Sequence, residues 1–102
     1  MKYQLVIQWP ASSLTDYDAM VKIEDSLIEQ LSEEHDVDGH DFGSGEMNIF
    51  VHTDDPESAF EEVRSILGSD PSWSSVRVAY RELLGSGYTP LWPEGLREFR
   101  VV

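Results

Sequence analysis

From Lys2 to Trp9 the side chains alternate: Tyr3, Leu5, Ile7 and Trp9 fall on one side, and Lys2, Gln4, Val6 and Gln8 on the other, before Pro10 ends the run. Period two with one polar side predicts a half-buried strand. The period then changes. Met20, Ile23, Leu27 and Leu31 recur at spacings of three and four, flanked by Val21 and Ile28, while Asp18, Lys22, Asp25, Glu29 and Glu33 take the opposite side. This predicts an amphipathic helix, capped by Thr15 or Asp16 and reaching about Glu34.

A weaker strand is expected from Asp36 to Phe42, followed by the turn residues Gly43, Ser44 and Gly45 and by a strand at EMNIFVHT, Glu46 to Thr53. That strand passes through Asp54 and Asp55 into PESAFEEVRSIL. There Ala59, Phe60, Val63, Ile66 and Leu67 make the best single-face helical match in the chain. Asp55 is placed to cap it, Pro56 suits its first position, Glu57 favours its positive end, and Gly68 is expected to supply a left-handed stop. After the break at Asp70 and Pro71, Val76, Val78 and Tyr80 alternate with Arg77, Ala79 and Arg81, a strand from Ser75 to Leu83. The rest, with Gly85, Gly87, Pro90, Pro93 and Gly95 among Tyr88, Leu91 and Trp92, is expected to pack back on the core.

The order strand, helix, strand, strand, helix, strand over residues 2 to 83 resembles the ferredoxin-like split β-α-β arrangement. That resemblance implies an α+β fold: a four-stranded antiparallel sheet with both helices on one face, plus a C-terminal extension over residues 84 to 102. At 102 residues the expectation is one domain. Element order identifies no activity.

Composition narrows the functions. The chain has no cysteine, which excludes disulfides, thiolate nucleophiles and thiolate metal sites. No apolar run reaches bilayer length and no apolar signal core opens the chain, so a cytoplasmic protein is expected. The formal net charge is -13, unevenly spread: residues 1 to 71 hold 17 Asp and Glu against Lys2, Lys22 and Arg64, a balance of -14, and the remainder gives +1. Such a field repels phosphate backbones and anionic lipid and attracts basic proteins, so neither direct nucleic-acid nor membrane binding is expected.

If the apolar strand positions face the helices, Asn48, Phe50, His52, Arg77 and Arg81 lie with Gln4 and Gln8 on the other sheet face. These five are the candidate binding residues, and Tyr88 and Trp92 are candidate interface anchors, or the cover of that face. A central Phe on such a sheet is also how RNA-recognition modules stack bases, but the matching aromatic on the first strand is missing. His35, Asp36, Asp38, His40, Asp41 and His52 carry metal-ligating groups, and the hairpin register decides whether they converge. A three-residue turn over Gly43 to Gly45 sets Asp36 opposite His52, Asp38 opposite Phe50 and His40 opposite Asn48. A two-residue turn of Ser44 and Gly45 sets Phe42 opposite Met47, His40 opposite Ile49 and Val37 opposite His52. The first is favoured because it buries Val37 and leaves Asp38 and His40 in water.

The spacing of this set matches no metal motif, including the calcium loop, and no nucleophile elbow or phosphate loop is present. Asp54 and Asp55 are explained by capping. No cofactor, metal or catalytic residue is therefore expected. The leading expectation is a non-catalytic acidic module that binds a basic protein, in its concrete form an immunity or antitoxin-like inhibitor. The alternative is small-molecule binding or cofactor-free catalysis at the open sheet face of a ferredoxin-like homodimer.

Overall fold

In the computed structural model, which describes residues 1–11 and 14–101 (Leu14 by its backbone only), the elements follow the order β1 (Tyr3–Pro10), α1 (Leu14–Gln30), β2 (His35–Gly43), β3 (Glu46–Thr53), α2 (Pro56–Leu67), a 3-10 turn (Pro71–Ser75), β4 (Arg77–Glu82) and β5 (Thr89–Trp92). The class is α+β, with two helices and one antiparallel sheet in the order β2-β3-β1-β4-β5. The sheet has five strands where the sequence pattern predicted four. The fifth comes from the extension: Trp92 lies opposite Val78 and Thr89 opposite Tyr80. Pro90 cannot donate to a ladder, which an edge strand tolerates.

The alternation in β1 sets Leu5, Ile7 and Trp9 toward the helices, where they pair with Val51, Ile49 and Met47 of β3. These six join Val78 in one buried cluster with Met20, Ile23 and Leu27 of α1 and Ala59, Phe60, Val63 and Leu67 of α2. Each fully buried aliphatic side chain contributes about 1.5–3 kcal/mol of transfer free energy, far more than a surface charge pair, so this stripe sets which way every strand faces.

The hairpin combines both candidate registers. Its turn has two residues, Ser44 at φ 55° and Gly45 at φ 81°, so Phe42 faces Met47 and His40 faces Ile49; the preference for a three-residue turn is corrected. The register then shifts between Val37 and Gly39, and beyond the shift Val37 faces Val51 and Asp36 faces His52, the pairings assigned to the longer turn. A bulge at Asp38 allows this. One extra residue inverts the alternation, so Val37 and Phe42 both pack against the core despite their odd-even mismatch.

Helix ends bring three further corrections. Thr15 and Asp16 lie inside the first turn of α1, and α1 stops at Gln30, short of Glu34. Its propagation ends because the Ser32 amide, which would continue the ladder, donates to Glu62 Oε1 at 2.8 Å. At the other helix Asp55 caps as expected, accepting from the Ser58 amide at 3.0 Å, with Pro56 in the first turn. Gly68, however, is right-handed, with φ -63°. Its glycine requirement is spatial, since a Cβ there would sit 2.5 Å from the Arg64 carbonyl oxygen. Asp70 then caps the 3-10 turn through the Ser72 amide at 2.9 Å, which holds its carboxyl below the usual aspartate range.

The bulge is testable. Asp38→Ala keeps the residue count and is expected to change stability by less than about 1 kcal/mol, as for other exposed sites. Deleting Asp38 removes the unpaired residue and leaves Val37 opposite Val51 and Asp36 opposite His52 in an unbroken ladder, so urea titration is expected to show a similarly small change. A loss above about 2 kcal/mol on deletion would refute the role given to the bulge.

Candidate binding cleft on the second sheet face

Strand alternation and the observed registers place three rows of side chains on the face away from the helices. Asp41, Asn48, Gln8 and Arg77 form the first, Gly39, Phe50, Val6 and Ala79 the second, and Asp36, His52, Gln4 and Arg81 the third. Much of this face is closed. Val6, Ala79 and Asn48 are fully buried and Gln8 is 1% exposed, so Asn48 is not the open-face residue expected from the sequence. The C-terminal segment crosses here: Gln8 Nε2 donates to the Arg100 carbonyl at 3.0 Å, to Asn48 Oδ1 at 3.0 Å and to Glu46 Oε1 at 3.2 Å. Asn48 Nδ2 has no acceptor among the described residues.

Where the segment meets β4, a cleft of about 620 Å³ remains, lined by Arg77, Tyr88, Arg97, Phe99, Arg100, Glu46 and Glu98. The Tyr88 and Phe99 rings pack with centroids 5.1 Å apart. Arg77, anticipated as a site residue, is thus joined by Arg97, Phe99 and Arg100, which sequence reasoning missed. Their only advance signal was the excess of Arg in the last third of the chain.

The other candidates go elsewhere. Arg81 Nη1 donates to the carbonyls of Glu82, Leu83 and Gly85 at 3.2–3.3 Å and so ties the β4–β5 loop; it does not converge with Arg77. Phe50 and His52 are half-buried at the far side of the face, where His52 Nε2 lies 3.6 Å from Asp38 Oδ2 and 3.4 Å from Gln4 Nε2. Trp92 turns to the helix side, with centroids 6.2 Å from Phe60 and 6.1 Å from Trp73 and the Arg64 guanidinium 4.7 Å from its ring. It therefore does not cover the second face.

The His and Asp set of β2 and β3 separates into three places. His52 meets Asp38, His40 Nδ1 meets Glu24 of α1 at 3.0 Å, and His35 is buried beside α2. The two-residue turn sends His40 to the helix side, and the bulge leaves Asp36 and Asp38 near His52. Among the described residues no three metal-ligating side chains group to hold an ion.

The His35 environment was not anticipated. Nδ1 lies 2.7 Å from Thr53 Oγ1 and Nε2 lies 3.0 Å from Glu62 Oε2. A carboxylate only accepts, so Nε2 carries a hydrogen; in the neutral ring Nδ1 then accepts from the Thr53 hydroxyl, which itself accepts from the Asp55 amide at 2.9 Å. The order hydroxyl, imidazole, carboxylate is that of an acyl-transfer triad. Thr53 is fully buried, however, and its oxygen is engaged with the backbone that caps α2, so no substrate meets it. This is a structural tie between β2, β3 and both helices. Glu62 is held below the usual glutamate range, first by the Ser32 amide and further by the Ser32 hydroxyl and His35, against the opposing effect of burial.

A cleft of similar volume between α1 and the 3-10 turn is floored by Trp9, Ile23, Met47 and Leu67 and carries Lys22 beside Asp16 and Asp70, without convergent charge of one sign. No described helix is long and apolar enough to cross a membrane. Comparison with protein-family models, curated proteins and solved structures finds no match.

Because the folded-state carboxyl of Glu62 is the more acidic, its stabilisation is complete above the ordinary glutamate range and is lost as pH falls through the folded-state value. Glu62→Gln is expected to cost about 1–2 kcal/mol near pH 7, discounted for partial exposure. The difference from wild type should shrink below about pH 4. Urea titrations at both pH values check this, and a pH-independent difference would contradict it.

Proposed function

We propose that this chain is a non-catalytic acidic protein-binding module of the cytoplasm, built on a ferredoxin-like split β-α-β core with an added edge strand, and that its partner is a basic protein. The strand order β2-β3-β1-β4, antiparallel throughout, with α1 linking β1 to β2 and α2 linking β3 to β4, supports the fold half of this reading.

The observation that carries the functional half is an uncompensated acidic surface on adjoining elements. Asp18, Asp25 and Glu29 of α1, Glu33 and Glu34 after it, and Asp36, Asp38 and Asp41 of β2 are all exposed. Among the described residues no Lys or Arg side chain forms an ion pair; the acidic partners found are paired with histidines or the N-terminus. Charges left unneutralised on an outer helix and an edge strand extend their field into solvent, which accelerates encounter with a basic surface and rejects anionic ones. Neutralisation of a basic toxin by an immunity or antitoxin-like inhibitor is the concrete form of such a role. The alternative, a ligand site across the whole second face of a dimer, is less well supported because Gln8 and Asn48 lie buried beneath the C-terminal segment.

Affinity capture at low salt is expected to retain basic proteins that elute as salt is raised. The same proteins should be lost by a variant combining Asp18→Asn, Asp25→Asn, Glu29→Gln and Asp36→Asn, with circular dichroism and melting unchanged. Retention by this folded variant, or capture indifferent to salt, would defeat the proposal.

A further inference from the structure

We propose that the cleft between β4 and the C-terminal segment is a binding site for a small aromatic carboxylate. The site is separate from the acidic surface of α1 and β2 and stands or falls independently of it. Its starting point is an inversion of charge: on a chain with formal net charge -13, three of the five arginines, Arg77, Arg97 and Arg100, line one cleft. None of the three forms an ion pair with a described carboxylate. Neighbouring unpaired guanidiniums repel, and an anion between them removes that cost while accepting forked hydrogen bonds.

The lining also sets the ligand class. Glu46 and Glu98 share the cleft, so three cations against two carboxylates leave +1, which suits one anionic group and disfavours a polyanion such as nucleic acid. The Tyr88 and Phe99 rings, 5.1 Å apart, offer an apolar wall to a flat ring. A volume of about 620 Å³ is that of a small-molecule site. Arg77 belongs to the sheet, whereas Arg97 and Arg100 belong to the crossing segment, whose backbone Gln8 holds at Arg100. A bound carboxylate therefore bridges the two and fastens the segment to the sheet.

The probe is benzoate, titrated into the full chain and followed by two-dimensional NMR, with acetate supplying the charge without the ring and phenol the ring without the charge. Benzoate is expected to shift the signals of Arg77, Tyr88, Arg97 and Arg100 saturably, to bind at least about fivefold tighter than acetate or phenol, and to slow amide exchange over residues 96 to 101. Arg77→Gln and, as an exposed position with little bearing on folding, Arg97→Gln should each weaken benzoate by about tenfold. Tyr88→Ala should bring benzoate down to the level of acetate, and Lys22→Gln, the same charge change outside the cleft, should leave it unchanged. Absence of saturable shifts, acetate binding as tightly as benzoate, or full affinity in folded Arg77→Gln and Arg97→Gln would overturn the proposal.

Discussion

The side-chain amide of Gln8 is the contact on which the second half of the architecture depends. β1 is the central strand and is buried on both faces, so an amide there must satisfy its donors within the protein. It shares two hydrogens among Asn48, Glu46 and the Arg100 carbonyl, and the last of these fixes the C-terminal segment across the sheet. With that segment held at Gln8, Arg97 and Arg100 line the same cleft as Arg77, and the Gln8 and Asn48 part of the face is buried. A residue that reads as the polar side of a half-buried strand is in fact the hinge between sheet and tail.

The hairpin shows a second constraint settled by core packing. Phe42 and Val37 are five residues apart, and a regular strand would send them to opposite faces. Burial of both is worth more than an unbroken ladder, so the strand accepts a bulge at Asp38, where an exposed polar residue is extruded at little cost. The same irregularity puts His35 and His40 of β2 on the helix side, while the alternation of β3 puts His52 on the other face. It also leaves a twisted, acidic edge on β2, which resists edge-to-edge pairing with another sheet while remaining attractive to a basic partner on the proposed reading.

Burial also separates resemblance to chemistry from chemistry. Thr53, His35 and Glu62 have the order and distances of a nucleophile, base and orienting acid, yet each polar atom is committed to an element boundary: Thr53 to the entry of α2, Glu62 to the exit of α1. Such a network orders four elements at one corner of the domain. The arginines of the cleft are the reverse case, charged groups lining one cleft with no ion-pair partner among the described residues, and that contrast distinguishes a structural tie from a candidate site.

Local pattern determined the elements that carry their own signals. The strand from Glu46 to Thr53, the helix from Pro56 to Leu67 and its Asp55 cap were legible because alternation, helical period and capping chemistry depend on residues within a few positions of one another. So were the α+β class, the identity of the helix-facing stripe and the candidacy of Arg77. The tertiary structure alone decided the bulge, the early end of α1 at Gln30, the fifth strand, the closure over Asn48 and the gathering of Arg97 and Arg100 beside Arg77. Each depends on which distant backbone satisfies a buried polar group or fills a gap in the core. Glu62 meets Ser32 across 30 residues and Arg100 meets Gln8 across 92, separations over which the chain leaves no periodic trace.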